Sequence, residues 1–225
     1  MRLLHMLLLL LAAVAHPATA SVTLRYAADE PSNLAMVIEA DDAGNIRADN
    51  PNGQSLMILG SDIYMILPPR HGGAVVRLDD AIALAAEMRV AAGPPPTPER
   101  HRIVERGPER VGQWDGTLYW IEPLPPVGDR LRSVIVIASD PALRAAGRAF
   151  LQVEEAQGRL FMAAFGNPPT DYWPLARSLF ERGLMLRIGG RYRLESLSEA
   201  PIPPERFRLP GRVLSRDQYR ELLSR

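Results

Sequence analysis

The chain has 225 residues, with 26 acidic side chains balanced by 26 basic ones, all of them arginine, and it contains no cysteine. A formal net charge of zero offers no field to draw nucleic acid or an anionic membrane. The missing cysteines exclude a disulfide framework, so stability has to come from an apolar core, which a chain of this length can build.

Arg2 precedes an apolar run from Leu3 to Val14 broken only by His5, and the segment closes on Ala18-Thr19-Ala20 before Ser21. A run shorter than the ~20 residues of a spanning helix, followed by small residues, reads as an export signal cleaved after Ala20. No Cys follows that site, so lipid modification there is excluded. Arg2 is the only charged residue in residues 1–20, which leaves residues 21–225 with a net charge of about −1. Export without cysteine fits a bacterial periplasm.

Val22, Leu24 and Tyr26 alternate in a first strand, and Asp29-Glu30-Pro31-Ser32 turns it. The stretch from Asn33 to Leu67 then reads as four short strands joined by three tight turns. Leu34, Met36 and Ile38 alternate in one; a shorter arm covers 45–49; an almost wholly apolar run fills 54–59; and 62–67 returns. The turns at Asp42-Ala43-Gly44-Asn45, Asn50-Pro51-Asn52-Gly53 and Gly60-Ser61 carry the residues that tolerate tight reversals. Two adjacent strands that are apolar at nearly every position imply that both faces of the sheet are covered there, or that one borders an apolar cavity.

A short strand at 74–78 leads to Asp79-Asp80, expected to cap a helix running through Ala92, with Leu78, Ile82, Ala85 and Met88 on one face. Gly93 to Pro98 is a stiff extended crossing. Further strands are expected at 103–111, 114–121 and 133–138. Asp140-Pro141 starts a helix that Gly158 interrupts, and Thr170-Asp171 opens another that Gly183 closes. The runs 184–188 and 191–197 flank Gly189-Gly190 as a hairpin, 207–211 reads as an edge segment, and Ser215 caps a terminal helix to Leu223.

For catalysis the sequence has little to offer. It contains no Gly-x-Ser-x-Gly elbow, and past the export signal the only histidines are His71, in Arg-His-Gly-Gly, and His101, at a charged strand entrance. A hydrolase would bring one of them within reach of a carboxylate and a Ser or Thr in a cleft; these groups are expected apart. Asp41-Asp42 lacks the alternating oxygen ligands and distal Glu of a calcium loop, Asp79-Asp80 is accounted for by capping, and Glu154-Glu155 points two ways from one helix as solvated surface, so no metal or cofactor is expected. What remains is apolar surface. Met36, Ile38, Met57, Met65, Trp114, Trp120 and Met185 are the candidates to line a ligand cavity, because Met side chains are flexible and polarizable. The alternative for each is ordinary core.

Three phrases carry a resemblance. Glu109-Arg110-Val111-Gly112 with Trp114 and Thr117-Leu118-Tyr119-Trp120, then Val136 to Leu143 running into Asp-Pro, then Gly183 to Leu186 with Leu194 to Ser198, Ile202, Phe207 and Leu209-Pro210-Gly211, resemble an exported bacterial domain-of-unknown-function family with the outer-membrane lipoprotein carrier fold. The resemblance implies an antiparallel sheet curled into a half-barrel, with helices plugging its concave side and an apolar cavity between, as in carriers that shelter the acyl chains of a lipoprotein. The expectation is therefore an α+β fold in one domain over 21–225, with the proline-rich crossing at 93–98. It would be a non-catalytic periplasmic binder of an apolar or lipidated ligand, with a lipid, a lipoprotein or an envelope-associated protein as partner and no nucleic acid. The rivals are a structural or protein-interaction module whose sheet is merely filled, and an envelope hydrolase.

Overall fold

The computed structural model describes residues 21–28, 35–89, 99–125, 132–165, 170–189 and 192–224. In chain order these form strands β1 (Val22–Ala27), β2 (Ala35–Ala40), β3 (Ile46–Asp49), β4 (Ser55–Leu59), β5 (Asp62–Ile66) and β6 (Val75–Arg77), then helix α1 (Leu78–Met88). There follow β7 (Arg100–Val111), β8 (Trp114–Leu124), β9 (Ser133–Ala138), α2 (Arg144–Phe165), α3 (Tyr172–Phe180), β10 (Leu184–Ile188), β11 (Tyr192–Ser198), β12 (Val213–Leu214) and α4 (Arg216–Leu223).

The expected meander is present because each reversal has its chemistry in place. At the first, the Asp41 carboxylate accepts from the Asn45 backbone N–H and from its side-chain amide, both at 2.8 Å, and Gly44 takes φ +82°. At the second, Gly53 takes φ +78° and Asn52 accepts from the Gln54 N–H at 2.9 Å. The chain then builds a second meander, β7 to β11. Both join one large, curved, unclosed sheet in the order β12-β6-β5-β4-β3-β2-β1-β11-β10-β9-β8-β7, antiparallel throughout except that β12 runs parallel to β6. With four helices among the described residues, the class is α+β.

The first strand sits at the centre of the sheet. β1 pairs with β2 over six residues and, on its other side, with β11 (Thr23 to Ser198, Ala27 to Arg193). Among the described residues β11 pairs with β10 through Tyr192 and Arg193, and from Arg193 onward it runs along β1. At that seam the buried Tyr26 hydroxyl donates to the Met185 carbonyl at 2.9 Å, in the part of β10 that β11 does not accompany. Burial, with the Glu154 charge adding to it, holds the Tyr26 phenol well above its ordinary pKa, so it remains a donor.

One face of the sheet carries Leu24, Ile38, Ala48, Leu56, Ile121, Ile135 and Ile137, fully or almost fully buried together with Phe150 and Val153 of α2 and Leu179 and Phe180 of α3. At the β6 end the same face continues as a smaller cluster of Met65, Leu67, Val76, Ala81, Leu84 and Tyr219 beneath α1 and α4. On the opposite face, Met57, Tyr64, Ile66 and Val75 are covered by Leu209 and Val213 of the C-terminal segment. The doubly apolar run at β4 and β5 therefore has both faces covered.

Several local expectations change. Asp79 and Asp80 lie inside the first turn of α1, where carboxylates favour the helix N-terminus, rather than capping it; Arg77 holds the cap position and makes no side-chain cap bond. Gly158 does not interrupt α2, which runs unbroken for 22 residues. The missing side chain there admits the Trp173 ring, whose Cζ2 lies 3.0 Å from where a Cβ would stand. The C-terminal edge strand is not at 207–211 but at 213–214, and Phe207 instead closes a 3-10 turn from Pro204. The proline-rich crossing and residue 190 of the glycine pair lie outside the described residues.

The C-terminal segment is tied to the sheet by charge. Arg206 reaches Glu39 at 2.7 Å and Asp49 at 2.8 Å, while Asp49 also accepts from the Ser55 hydroxyl at 2.6 Å and pairs with Arg47 at 2.9 Å. Burial alone would raise the Asp49 pKa, but the Ser55 hydrogen bond and the two guanidiniums outweigh it and hold the carboxyl below its ordinary value. A depressed carboxylate contributes stability that is fully present above the unfolded value of about 3.9 and is lost as pH falls through the folded one. Urea unfolding should place Asp49→Asn below wild type by about 1–2 kcal/mol at pH 7, with the gap closing below about pH 4. A gap independent of pH would show that the ion pairs do not hold this segment.

Candidate functional site

Where the chain leaves β6, α1 folds back over the sheet and presents Ala81, Leu84, Ala85 and Met88, positions that share one helix face. The late turns of α2 add Leu160 and Ala164, four residues apart. The C-terminal helix adds Tyr219 and Leu223 at the same spacing. β12 on β6 sets α4 beside α1. A capping box fixes its first turn, Ser215 accepting from the Gln218 N–H and Gln218 from the Ser215 N–H. Arg216 and Arg220 both hold Glu87 of α1.

These three helices, with Met65 and Leu67 as floor, enclose a groove of about 330 Å³. Leu84, Met65 and Tyr219 are 2–8% exposed at its base, whereas Met88 and Leu223 are 68% and 42% exposed at its lip. Burial lifts the Tyr219 phenol above its ordinary pKa. The polar lining consists of Asn52, Gln54, Arg70 and His71, and no carboxylate belongs to it. Such a slot, apolar along its three helices, can hold an apolar group.

Of the sequence candidates, Met65 lines this groove. Met36, Ile38 and Met185 are packed in the main core at 0–2% exposure, and Met57 lies in the cluster on the opposite face. Trp114 packs at the margin of the main core. Trp120 is half-buried between two guanidiniums, with Arg106 4.0 Å and Arg132 3.8 Å from its ring centre. The groove residues that sequence reasoning missed are Leu84, Met88, Leu160, Tyr219 and Leu223. The available signal was the exposed end of the α1 stripe at Met88 together with the amphipathic terminal helix.

The histidine expectation also changes, since His101 does meet a carboxylate and a hydroxyl. Its Nδ1 lies 3.0 Å from Asp171 Oδ1 and 3.3 Å from Thr170 Oγ1, and its backbone N–H donates to the same Asp171 oxygen at 2.7 Å. Both partners sit on one ring nitrogen, so the imidazole cannot relay a proton between them as a nucleophile and base on opposite nitrogens would require. With Tyr172 edge-on to the ring, the group clasps the start of β7 to the start of α3. His71 accepts at Nε2 from Arg70 Nε at 3.2 Å. A second depression, about 260 Å³ beside the first turns of α2, mixes Arg144, Arg148 and Arg182 with Asp140 and Glu181. Among the described residues no three His, Asp or Glu side chains converge as metal ligands, and no helix is long and apolar enough to cross a membrane.

No family model matches the chain, and no curated protein matches it. A crystal structure of an outer membrane lipoprotein-sorting protein domain from Vibrio parahaemolyticus aligns at 15% identity and a TM-score of 0.19, over 53% of this chain and 58% of that one. The match thus spans less than two thirds of that domain, and a superposition this loose carries no argument about function.

Proposed function

We propose that this protein is a non-catalytic binder of an apolar or lipidated ligand at the bacterial cell envelope, exported to the periplasm, with its curved sheet forming a half-barrel. The ligand lies in the groove between α1, α2 and α4. The observation that carries this reading is a slot of about 330 Å³, apolar along three helices, whose lip leaves Met88 and Leu223 uncovered. That volume is at the small end of ligand sites, which run roughly from 300 to 1,000 Å³, and suits one chain rather than several.

Protein purified without detergent should bind one equivalent of a lipophilic fluorescent probe. Met88→Glu and Leu223→Glu, both at exposed positions that the fold tolerates, should each weaken that binding about tenfold by placing charge against the chain. Failure to bind the probe, or binding indifferent to both substitutions, would overturn the reading. One observation favours a second one. The interior between the sheet and α2 is filled by Phe150, Leu179 and Phe180, as in a protein-interaction module, for which the same lip would seat an apolar segment of a partner and the probe would not bind.

A further inference from the structure

The polar residues of the groove are not scattered through its lining. They come from two loops in contact, the turn before β4 and the loop after β5. A Cβ on Gly53 would stand 3.3 Å from the Pro69 ring, so Asn52 and Gln54 lie beside Arg70 and His71. Every residue that α1, α2 and α4 contribute is apolar except for the Tyr219 hydroxyl. The groove therefore has a greasy body and one polar mouth.

The charge at that mouth has one sign. Arg70 is exposed, its Nε donates to His71, and among the described residues no carboxylate pairs with it. That contact uses the Arg70 Nε and leaves its terminal N–H groups to bind a ligand. A guanidinium presents a planar fork of donors that matches a carboxylate or phosphate, and the Asn52 and Gln54 amides add further donors. Nothing in the lining repels an anion.

Resting on the groove as the binding site, we infer that its ligand is a single-chain anionic amphiphile, whose chain lies along α1 and α4 and whose carboxylate or phosphate head is held by Arg70. The carboxylate could belong to a free fatty acid and the phosphate to a lipid head group. The shared chemistry is an anion on one alkyl chain.

The test compares dodecanoate, dodecyl phosphate, dodecanol and dodecyltrimethylammonium, below their micelle-forming concentrations, as competitors for the lipophilic probe on the full chain. The two anions should bind about tenfold more tightly than the alcohol and the cation more weakly than either, with the preference shrinking as salt is raised. Arg70→Gln, a change in an exposed loop, should bring the anions down to the alcohol while leaving the alcohol unchanged. Whichever anion loses more in that variant identifies the head-group source. Equal binding of acid, alcohol and cation, or a preference that survives Arg70→Gln, would overturn the head-group inference and leave the apolar groove standing. Displacement by none of the four, the alcohol included, would overturn the groove reading itself and the inference with it.

Discussion

Gly183→Ala is expected to lose about 3 kcal/mol or more of stability, a large share of the 5–15 kcal/mol that holds a domain together. A Cβ at this position would stand 2.0 Å from the Ala138 carbonyl oxygen and 2.8 Å from its carbon. Those atoms belong to the last residue of β9, which Leu184 of β10 pairs directly. On the other side, the Gly147 backbone of α2 approaches so closely that a Cβ there would lie 2.9 Å from the Gly183 carbonyl carbon. Three main chains thus meet where two side chains are missing. Overpacking is usually relieved by the far end of a flexible side chain, and here the neighbours are backbone that cannot rotate away. Gly147→Ala should behave in the same way. Gly211→Ala, with nothing within 4 Å of its Cβ position, should stay within about 0.5 kcal/mol of wild type. Urea titrations of the three variants give the comparison, and a Gly183→Ala midpoint equal to that of wild type would show that α2 does not seat on the β9–β10 junction.

The same junction illustrates what a sequence discloses and what it withholds. Strands bounded by Asn-Gly, Gly-Ser or Asp-Pro are legible because each turn is a local event, and β9 and β10 begin and end where alternation and glycine place them. Gly183 was legible as the end of a helix. Its close approach to Ala138, some 45 positions back in the chain, was not, because glycine looks alike whether it supplies conformational freedom or an absent side chain. Gly158 was misread for that reason, since its meaning depends on Trp173. Likewise Val22, Leu24 and Tyr26 identify a strand but cannot say that β11 joins its second edge. The groove was the least legible feature. Met65 was one apolar candidate among seven, nothing in the sequence singled out Leu84, Leu160 or Tyr219, and the space they enclose exists only because β12 brings α4 back beside α1. His101 and Asp171, 70 residues apart, were invisible as a pair.

Phe150→Ala is the second large effect, and it bears on where a ligand can lie. The ring is 1% exposed and packs 5.7 Å from the Tyr26 ring and 5.3 Å, edge-on, from that of Phe180, directly between the sheet and α2. Were that space a ligand cavity, Phe150 would be part of an adaptable lining and its truncation would cost little stability. Packed as it is, the change removes the ring's burial and leaves a void that the surrounding strands cannot close, so thermal or urea unfolding should show a loss of about 3–5 kcal/mol. Because Phe150 does not line the groove between α1, α2 and α4, any variant protein that remains folded should bind the lipophilic probe there with unchanged affinity. It should also gain a second, weaker site for a small apolar molecule in the new dry void, as engineered apolar cavities do. A loss below about 1 kcal/mol accompanied by displacement of the wild-type probe would move the ligand from the groove to the space beneath the sheet. An inner face that is closed in the wild type and opens only when Phe150 is cut away leaves the groove at the β6 end as the place where a chain can enter.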